Sequence, residues 1–209
     1  MKMKLKNKNI KFNIKINSKN FIIFLFSFCI TAFVIGIIFY LSINNTTKEI
    51  INSNIDSYFT IKNNYNFIYL FINNFKNNFS NLFVVWLVGI SIIGIPLIFI
   101  ILFSEFFSIG FSVAAIINNY KIGSVLGIFT YLFPSKLLYL FILFILSFFS
   151  LKFSYKLIQL IFFKKDISIN SYFKKYIKLL IYITILLIII SIFDIYVTPF
   201  LIKIFLKLN

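Results

Sequence analysis

The sequence predicts an all-α, polytopic membrane protein with about five transmembrane helices, a cytoplasmic amino terminus and an outside carboxyl terminus. Hydrophobic residues make up 61% of the 209 residues, a share typical of integral membrane proteins. Between residues 81 and 119 the only charged side chain is Glu105, and an apolar run of that length indicates a bilayer. The net charge of +16 comes from lysines beside apolar stretches. We therefore expect anionic lipid headgroups, and not nucleic acid, as their partners.

The first predicted span covers residues 21–43. It follows a basic tail, residues 1–20, that has seven lysines and no acid. The apolar run is too long for a signal peptide and ends without a small-x-small cleavage site, so we expect an uncleaved span with its tail in the cytoplasm. Cys29 lies alone inside this span and supports neither a disulfide nor a metal site.

An asparagine-rich segment, residues 44–78, forms the predicted outer loop because it is nearly neutral. In its second half, four apolar residues fall at helical spacing: Ile68, Ile72, Phe75 and Phe79. Two interpretations remain open for this half. It is either a helix that lies on the outer membrane surface or a lead-in to the second span.

The remaining spans follow from parity. Residues 152–178 carry seven lysines against one acid, which predicts a basic inner loop over 156–178. Three crossings must then separate it from the outer loop, and one more follows it. The predicted positions of these four spans are 79–103, 105–119, 134–155 and 179–198.

Prolines predict where the helices bend, begin and end. Pro96 removes one backbone donor, so we expect a bend that frees the carbonyl of Ile92. Pro134 suits the first turn of the fourth span, and Pro199 should break the last one. The segment 120–133 is too short to cross and either lies along the outer face or re-enters the bilayer.

Small residues predict close helix contacts, because they let neighbouring backbones approach in lipid. The residues expected at such contacts are Gly89, Gly94, Gly110, Ala114, Gly123 and Gly127.

Three charges are predicted at or near membrane depth. Glu105 is expected at a helix N-terminus, where free backbone donors satisfy it. Lys136 and Asp194 belong to the same leaflet, and a buried Asp in lipid seeks a partner. We predict that the two pair and join the last two spans; the alternative is that each reaches water separately.

Known catalytic patterns are missing from the sequence, which has no His, HExxH, GxSxG, P-loop or cysteine cluster. We expect no cofactor, no metal site and no enzymatic activity. Two function classes remain: a membrane scaffold, or a small permease that uses Glu105, Lys136 and Asp194. A homo-oligomer is open for either.

The chain resembles the stage II sporulation protein M family over nearly its whole length, in its basic start and in its five-span plan. The features that carry the resemblance are the run GISIIGIP from Gly89 to Pro96, Gly110-Phe111, Pro134, and the ending SIFDIYVTPFLIKIFLKLN with Asp194 and Pro199. The resemblance implies the membrane component of the machinery that moves the mother-cell membrane around the forespore. The implied partners are two cell-wall-degrading proteins, stage II sporulation proteins D and P, recruited at the septum by a chain that cuts nothing itself.

Overall fold

A computed structural model describes residues 18–64, 67–132, 135–163 and 168–208. Throughout those ranges the regular structure is helical, which confirms the predicted all-α class. The helices are α1 (Ser18–Ser42), α2 (Asn45–Asn64), α3 (Phe67–Gly89), α4 (Gly94–Tyr120), α5 (Ser124–Leu132), α6 (Ser135–Phe163) and α7 (Ile169–Leu208), with a 3₁₀ turn at Lys121–Gly123. Most of the predicted basic tail, residues 1–17, and residues 164–167 of the predicted inner loop lie outside the described residues.

Four of the described helices are long and apolar enough to cross a membrane. They cover Ser18–Ser42, Gly94–Tyr120, Ser135–Phe162 and Ile169–Lys207. Helix α3 has 23 residues but is not among the four, and five of its residues are asparagines. The prediction of a fifth crossing therefore depends on α3.

Contacts between helices fix their relative directions. Helices α1 and α4 run parallel, since Phe28 meets Phe99 and Phe39 meets Phe107. Helix α3 runs antiparallel to α7, because Asn74 contacts Asp194 while Trp86 contacts Tyr176. Helix α6 is antiparallel to α7 as well, with Ser150 at Tyr176 and Phe153 at Phe173. A core of buried side chains lies between α1, α3, α4, α6 and α7.

The second and third predicted spans differ most from the structure. The predicted helices, 79–103 and 105–119, divide at residue 104, whereas the observed chain breaks at Ile90–Ile93. Pro96 is the third residue of α4, where its missing N–H is not needed, so it begins a helix instead of bending one. Gly94 sits against the carbonyl of Val88, where a Cβ would collide.

Pro199 does not end the last helix. Helix α7 continues through it to Leu208, although an interior proline costs about 3 kcal/mol. Beyond the proline, Ile202 and Phe205 are fully buried, and the Phe205 ring packs edge-on against Tyr120 at 4.8 Å. These contacts at the end of α4 compensate for the backbone hydrogen bond that the proline removes.

The predicted outer loop, 44–78, is helical over its described residues 45–64 and 67–78. Its first part forms α2, and residues 67–78 continue without a break into the rest of α3. The structure therefore favours the lead-in over a separate surface helix for the second half of the loop.

Of the predicted segment 120–133, the described residues 120–132 fold back along α4. Helix α5 runs antiparallel to α4, because Gly127 lies against Ile116 and the Tyr131 hydroxyl donates to Ser112 at 3.1 Å. Pro134, predicted to begin the next span, lies outside the described residues, and α6 begins at Ser135.

Candidate functional site: the polar seam of α3

Helix α3 carries polar groups that hydrogen-bond to three neighbouring helices at successive depths. We call this set the α3 seam. Its outer layer is Asn74, Asp194 and Thr198; its middle layer is Asn81, Glu105 and Tyr139; its inner layer is Trp86, Gly89, Ser150, Ser154 and Tyr176. The layers lie about 7–11 Å apart along α3 at the rise of an α-helix.

The outer layer is built around the buried carboxylate of Asp194, which is 2% exposed. The Asn74 side-chain amide donates to it at 2.6 Å, and the Thr198 hydroxyl donates from one turn further along α7. Through the Asn74 amide, the Asp194 carboxylate joins α7 to α3. The predicted contact between Lys136 and Asp194 is not among the contacts that the structure shows for these two described residues.

The middle layer joins α3 to α4 through Asn81, whose amide donates to the Glu105 carboxylate at 2.7 Å. The buried Tyr139 of α6 lies beside this pair, but its hydroxyl makes no hydrogen bond of normal geometry. The prediction for Glu105 is wrong in position: the residue lies in the middle of α4, far from a helix N-terminus. The prediction expected free backbone N–H groups to donate to Glu105, whereas the observed donor is the side chain of Asn81.

The inner layer closes the carboxyl end of α3. The Ser154 hydroxyl of α6 donates to the carbonyl of Gly89 at 2.7 Å and lies 3.1 Å from that of Ser91. The last carbonyls of a helix lack partners within the helix. Ser154 therefore compensates for the break between α3 and α4.

Tyr176 completes the inner layer from α7. Its hydroxyl donates to the Trp86 carbonyl at 2.9 Å and shares a hydrogen bond of 2.6 Å with Ser150. The Tyr176 ring stacks on Trp86 and, at 4.8 Å, on Phe153. A Cβ at Gly89 would collide with this hydroxyl, so the predicted close contact at Gly89 is between α3 and both α6 and α7.

Small residues bring α1 and α4 together. A Cβ at Gly110 would collide with the Phe33 carbonyl, and one at Gly36 would collide with the Phe107 carbonyl. Gly110 was predicted at such a contact, whereas its partner Gly36 was not. Ala114 is buried in a cluster with Tyr40.

The other predicted packing glycines lie near the start of α5. Gly127 is buried, and a Cβ there would come within 3.0 Å of Ile116 and 3.2 Å of Phe205. It lets α5 fit between α4 and α7. Gly123 is half-buried in the 3₁₀ turn.

Helix α2 is fixed against the end of the bundle where α4 terminates. The Asp56 carboxylate accepts hydrogen bonds from Asn119, at 3.0 Å, and from Tyr120. The buried Tyr40 hydroxyl faces Asn52 at 3.4 Å, and Lys48 donates to the last turn of α1 at Leu41. The opposite face of α2 is exposed and consists mainly of polar side chains: Thr46, Glu49, Ile50, Ser53 and Ser57.

The seam is suited to holding helices together. In the part of the chain that the structure describes, no three His, Cys, Asp or Glu side chains come together as a metal site would require. Most polar groups of the seam instead make interhelical hydrogen bonds, which stabilise membrane bundles by about 0.6–2 kcal/mol each.

Sequence analysis missed most of the seam. Asn74 and Asn81 lie seven residues apart, hence on one face of α3, and this spacing was the available signal. Asparagine is common throughout the chain, so the spacing of these two residues does not stand out. Ser154 and Tyr176 gave no signal, since their partners are backbone carbonyls far away in the sequence.

A helical bundle with four apolar helices of membrane-spanning length, joined by interhelical hydrogen bonds in its interior, defines a multi-pass membrane protein. Comparison with known proteins gives the family. A family model described as stage II sporulation protein M matches residues 20–199, and the chain belongs to that family of sporulation-related membrane proteins. No curated protein and no solved structure gave a significant match.

Proposed function

We propose that this chain is a non-catalytic membrane scaffold that anchors septal peptidoglycan hydrolases during endospore formation. The family resemblance names stage II sporulation proteins D and P as partners and the mother-cell septal and engulfing membrane as the location. Membership of a sporulation family supports the setting. The observation that carries the scaffold role is α2, a polar helix that hydrogen bonds to α1 and α4 hold at one end of the bundle.

Helix α2 has the two faces that a docking platform needs. One face contacts α1, α4 and α7, where Ile51 and Ile55 pack into buried clusters. The other presents exposed polar groups, among them Thr46 and Ser53 seven residues apart. A partner that binds a pre-ordered helix loses less conformational entropy than one that must order a loop.

The proposed orientation puts α2 outside the cell membrane, where the cell wall lies. Support comes from charge: the lysine-rich residues 1–20 extend only into the first turn of α1, and such segments stay in the cytoplasm. One crossing by α1 then brings α2 to the side of the peptidoglycan. The hydrolases work on that side, so a scaffold must present its docking surface there.

The test is co-purification from sporulating cells. We would substitute Thr46→Arg with Ser53→Arg on the exposed face of α2 and measure recovery of sporulation proteins D and P with a tagged copy. Added charge and bulk at the centre of a docking surface should reduce recovery at least tenfold. The matched control is Asn170→Arg with Ser171→Arg, which adds the same charge at the exposed start of α7.

Two results would contradict the scaffold proposal. The first is equal hydrolase recovery with the α2 variant and its control while the tagged copy remains in the membrane. The second is digestion of purified peptidoglycan by the chain alone, because an anchor should have no such activity.

The α3 seam favours a second candidate, a small permease or channel-like subunit. The seam places two carboxylates, Glu105 and Asp194, at different depths of one bundle, and intramembrane acids often serve ion or proton paths. Glu105→Gln separates the two functions. A scaffold retains hydrolase recruitment and sporulation with this change, whereas a permease loses its function and still binds hydrolases.

A further inference from the structure

A cavity of about 220 Å³ lies between α6 and α7, at the inner end of the bundle next to Tyr176. Its walls include Lys152, Lys156 and Lys175, together with the apolar side chains of Phe149 and Leu179. Typical sites for drug-sized ligands have about 300–1,000 Å³. The cavity therefore has room for a headgroup and not for a whole lipid.

The charges that line this cavity all have one sign. Three lysines contribute to its wall, and none of the lining residues is acidic. In the surrounding sequence, residues 152–178, seven lysines stand against one acid, Asp166, which lies outside the described residues. Like charges held this close repel one another, and an anion between them would relieve that repulsion.

Neighbouring groups hold two of these lysines in place. The Lys156 ammonium lies over the Tyr172 ring, 2.8 Å from its centre. The Lys152 ammonium lies 4.8 Å from the centre of the Phe148 ring and donates to the Ser18 hydroxyl at 3.0 Å. Rings and hydroxyls satisfy part of an ammonium group without neutralising its charge. The lysines are thus positioned while their positive charge remains.

The cavity also has an apolar side. Phe149 is 43% exposed on α6, and Leu179 lies at the start of the apolar part of α7. In the proposed orientation this side faces the bilayer, whereas Lys175 faces the cytoplasm. A group that fits has an anionic head at the lysines and an apolar body that leaves between α6 and α7.

We propose that this cavity is a specific site for the phosphodiester headgroup of an anionic phospholipid of the inner leaflet. Phosphate oxygens would accept from the lysine ammonium groups, and the acyl chains would run along α6 and α7 into the bilayer. Basic pockets between transmembrane helices on the cytoplasmic side are sites of this kind. The proposal rests on the orientation given above and is independent of hydrolase binding.

The test uses native mass spectrometry of the purified full-length chain in detergent. Phosphatidylglycerol is the probe, phosphatidylcholine the neutral lipid, and inorganic phosphate the arm that distinguishes a free anion from a lipid. We expect one tightly retained phosphatidylglycerol per chain. Lys156→Gln with Lys175→Gln should weaken its binding about 30-fold, the effect of two interfacial lysine charges.

The matched control is Lys174→Gln with Lys178→Gln, which removes the same charge from exposed positions on α7 that do not line the cavity. It should change the dissociation constant less than threefold, and the charge-retaining pair Lys156→Arg with Lys175→Arg should keep the lipid. If the glutamine pair does not purify intact, Lys175→Glu serves instead, because a negative charge at the exposed mouth should abolish retention.

Three results would overturn the lipid site. Equal weakening by the cavity pair and the control pair would mean a diffuse basic surface. Equal affinity for phosphatidylcholine would mean that the charges play no part. Inorganic phosphate binding as tightly as phosphatidylglycerol would mean a site for a free anion.

Discussion

Replacement of Gly110 tests whether backbone approach holds α1 against α4. A Cβ at Gly110 meets the Phe33 carbonyl, which belongs to the backbone and cannot turn aside as a side chain can. Overpacking of this kind costs about 1–3 kcal/mol, while alanine recovers about 1 kcal/mol of helix propensity over glycine. We expect Gly110→Ala to lower the free energy of unfolding by about 1 kcal/mol. Gly110→Leu should lower it by about 3 kcal/mol, because leucine is far bulkier.

The partner glycine makes the prediction more specific. Gly36→Ala should destabilise for the same reason, since its Cβ meets the Phe107 carbonyl on the other side of the same crossing. Once one alanine has pushed the helices apart, the second meets less resistance. The loss in free energy of unfolding for the double variant should therefore be smaller than the sum of the two single losses, by at least about 0.5 kcal/mol. Coupling of this size is expected of residues in contact.

The assay is thermal unfolding of the purified chain in one detergent. Unfolding is monitored through the loss of the monodisperse species. For a chain of this size, 1 kcal/mol corresponds to a Tm shift of about 2–4 °C. Ser104→Ala, at an exposed position of α4, is the control and should stay within about 0.5 kcal/mol of the original. A rise in Tm for Gly110→Ala would refute the argument, because helix propensity alone would then decide the outcome.

Three further predictions concern α6 and α7. Asp194→Leu should lower the free energy of unfolding by about 1–3 kcal/mol because it removes the acceptor of the half-buried Asn74 amide and the buried Thr198 hydroxyl. Lys136→Ala should change the free energy of unfolding by less than about 0.5 kcal/mol. Thermal unfolding measures both variants, and an equal loss in the two would support the predicted ion pair. Tyr176→Phe should cost about 1–3 kcal/mol through two lost hydrogen bonds. The control Tyr182→Phe, on the exposed face of α7, should be neutral. Equal Tm values for the two variants would contradict a stabilising role for the hydrogen bonds of Tyr176. Pro199→Ala should raise stability by up to about 3 kcal/mol, and an unchanged or lower Tm would show that the proline is accommodated without strain.

The predicted segments agree best with the observed helices where the sequence is most continuously apolar. Residues 21–43 were predicted as a span, and α1 covers Ser18–Ser42. The predicted span over 179–198 lies inside α7. In such segments hydropathy indicates the helix directly, because few polar residues lower the average.

The errors have a common physical cause, which is that local rules were applied where distant residues decide. Glu105 was expected to need a helix end, but Asn81 satisfies it from a helix 24 residues earlier. Pro199 was expected to break the last helix, but α7 continues past it. The contact between Phe205 and Tyr120 stabilises the part beyond the proline. Neither partner can be recognised before the arrangement of the helices is known.

Helix α3 explains both the missed boundary and the missed site. Its five asparagines lower the average hydropathy of the segment, so the predicted span moved toward the apolar residues that in fact begin α4. Polar side chains are unfavourable in lipid unless other helices cover them. In α3, two of the asparagine amides donate hydrogen bonds to the carboxylates of Asp194 and Glu105. The stability of α3 therefore depends on α4 and α7 being in place, which couples the three helices. A coupled bundle of this kind supports α2, because α2 contacts the ends of α4 and α7.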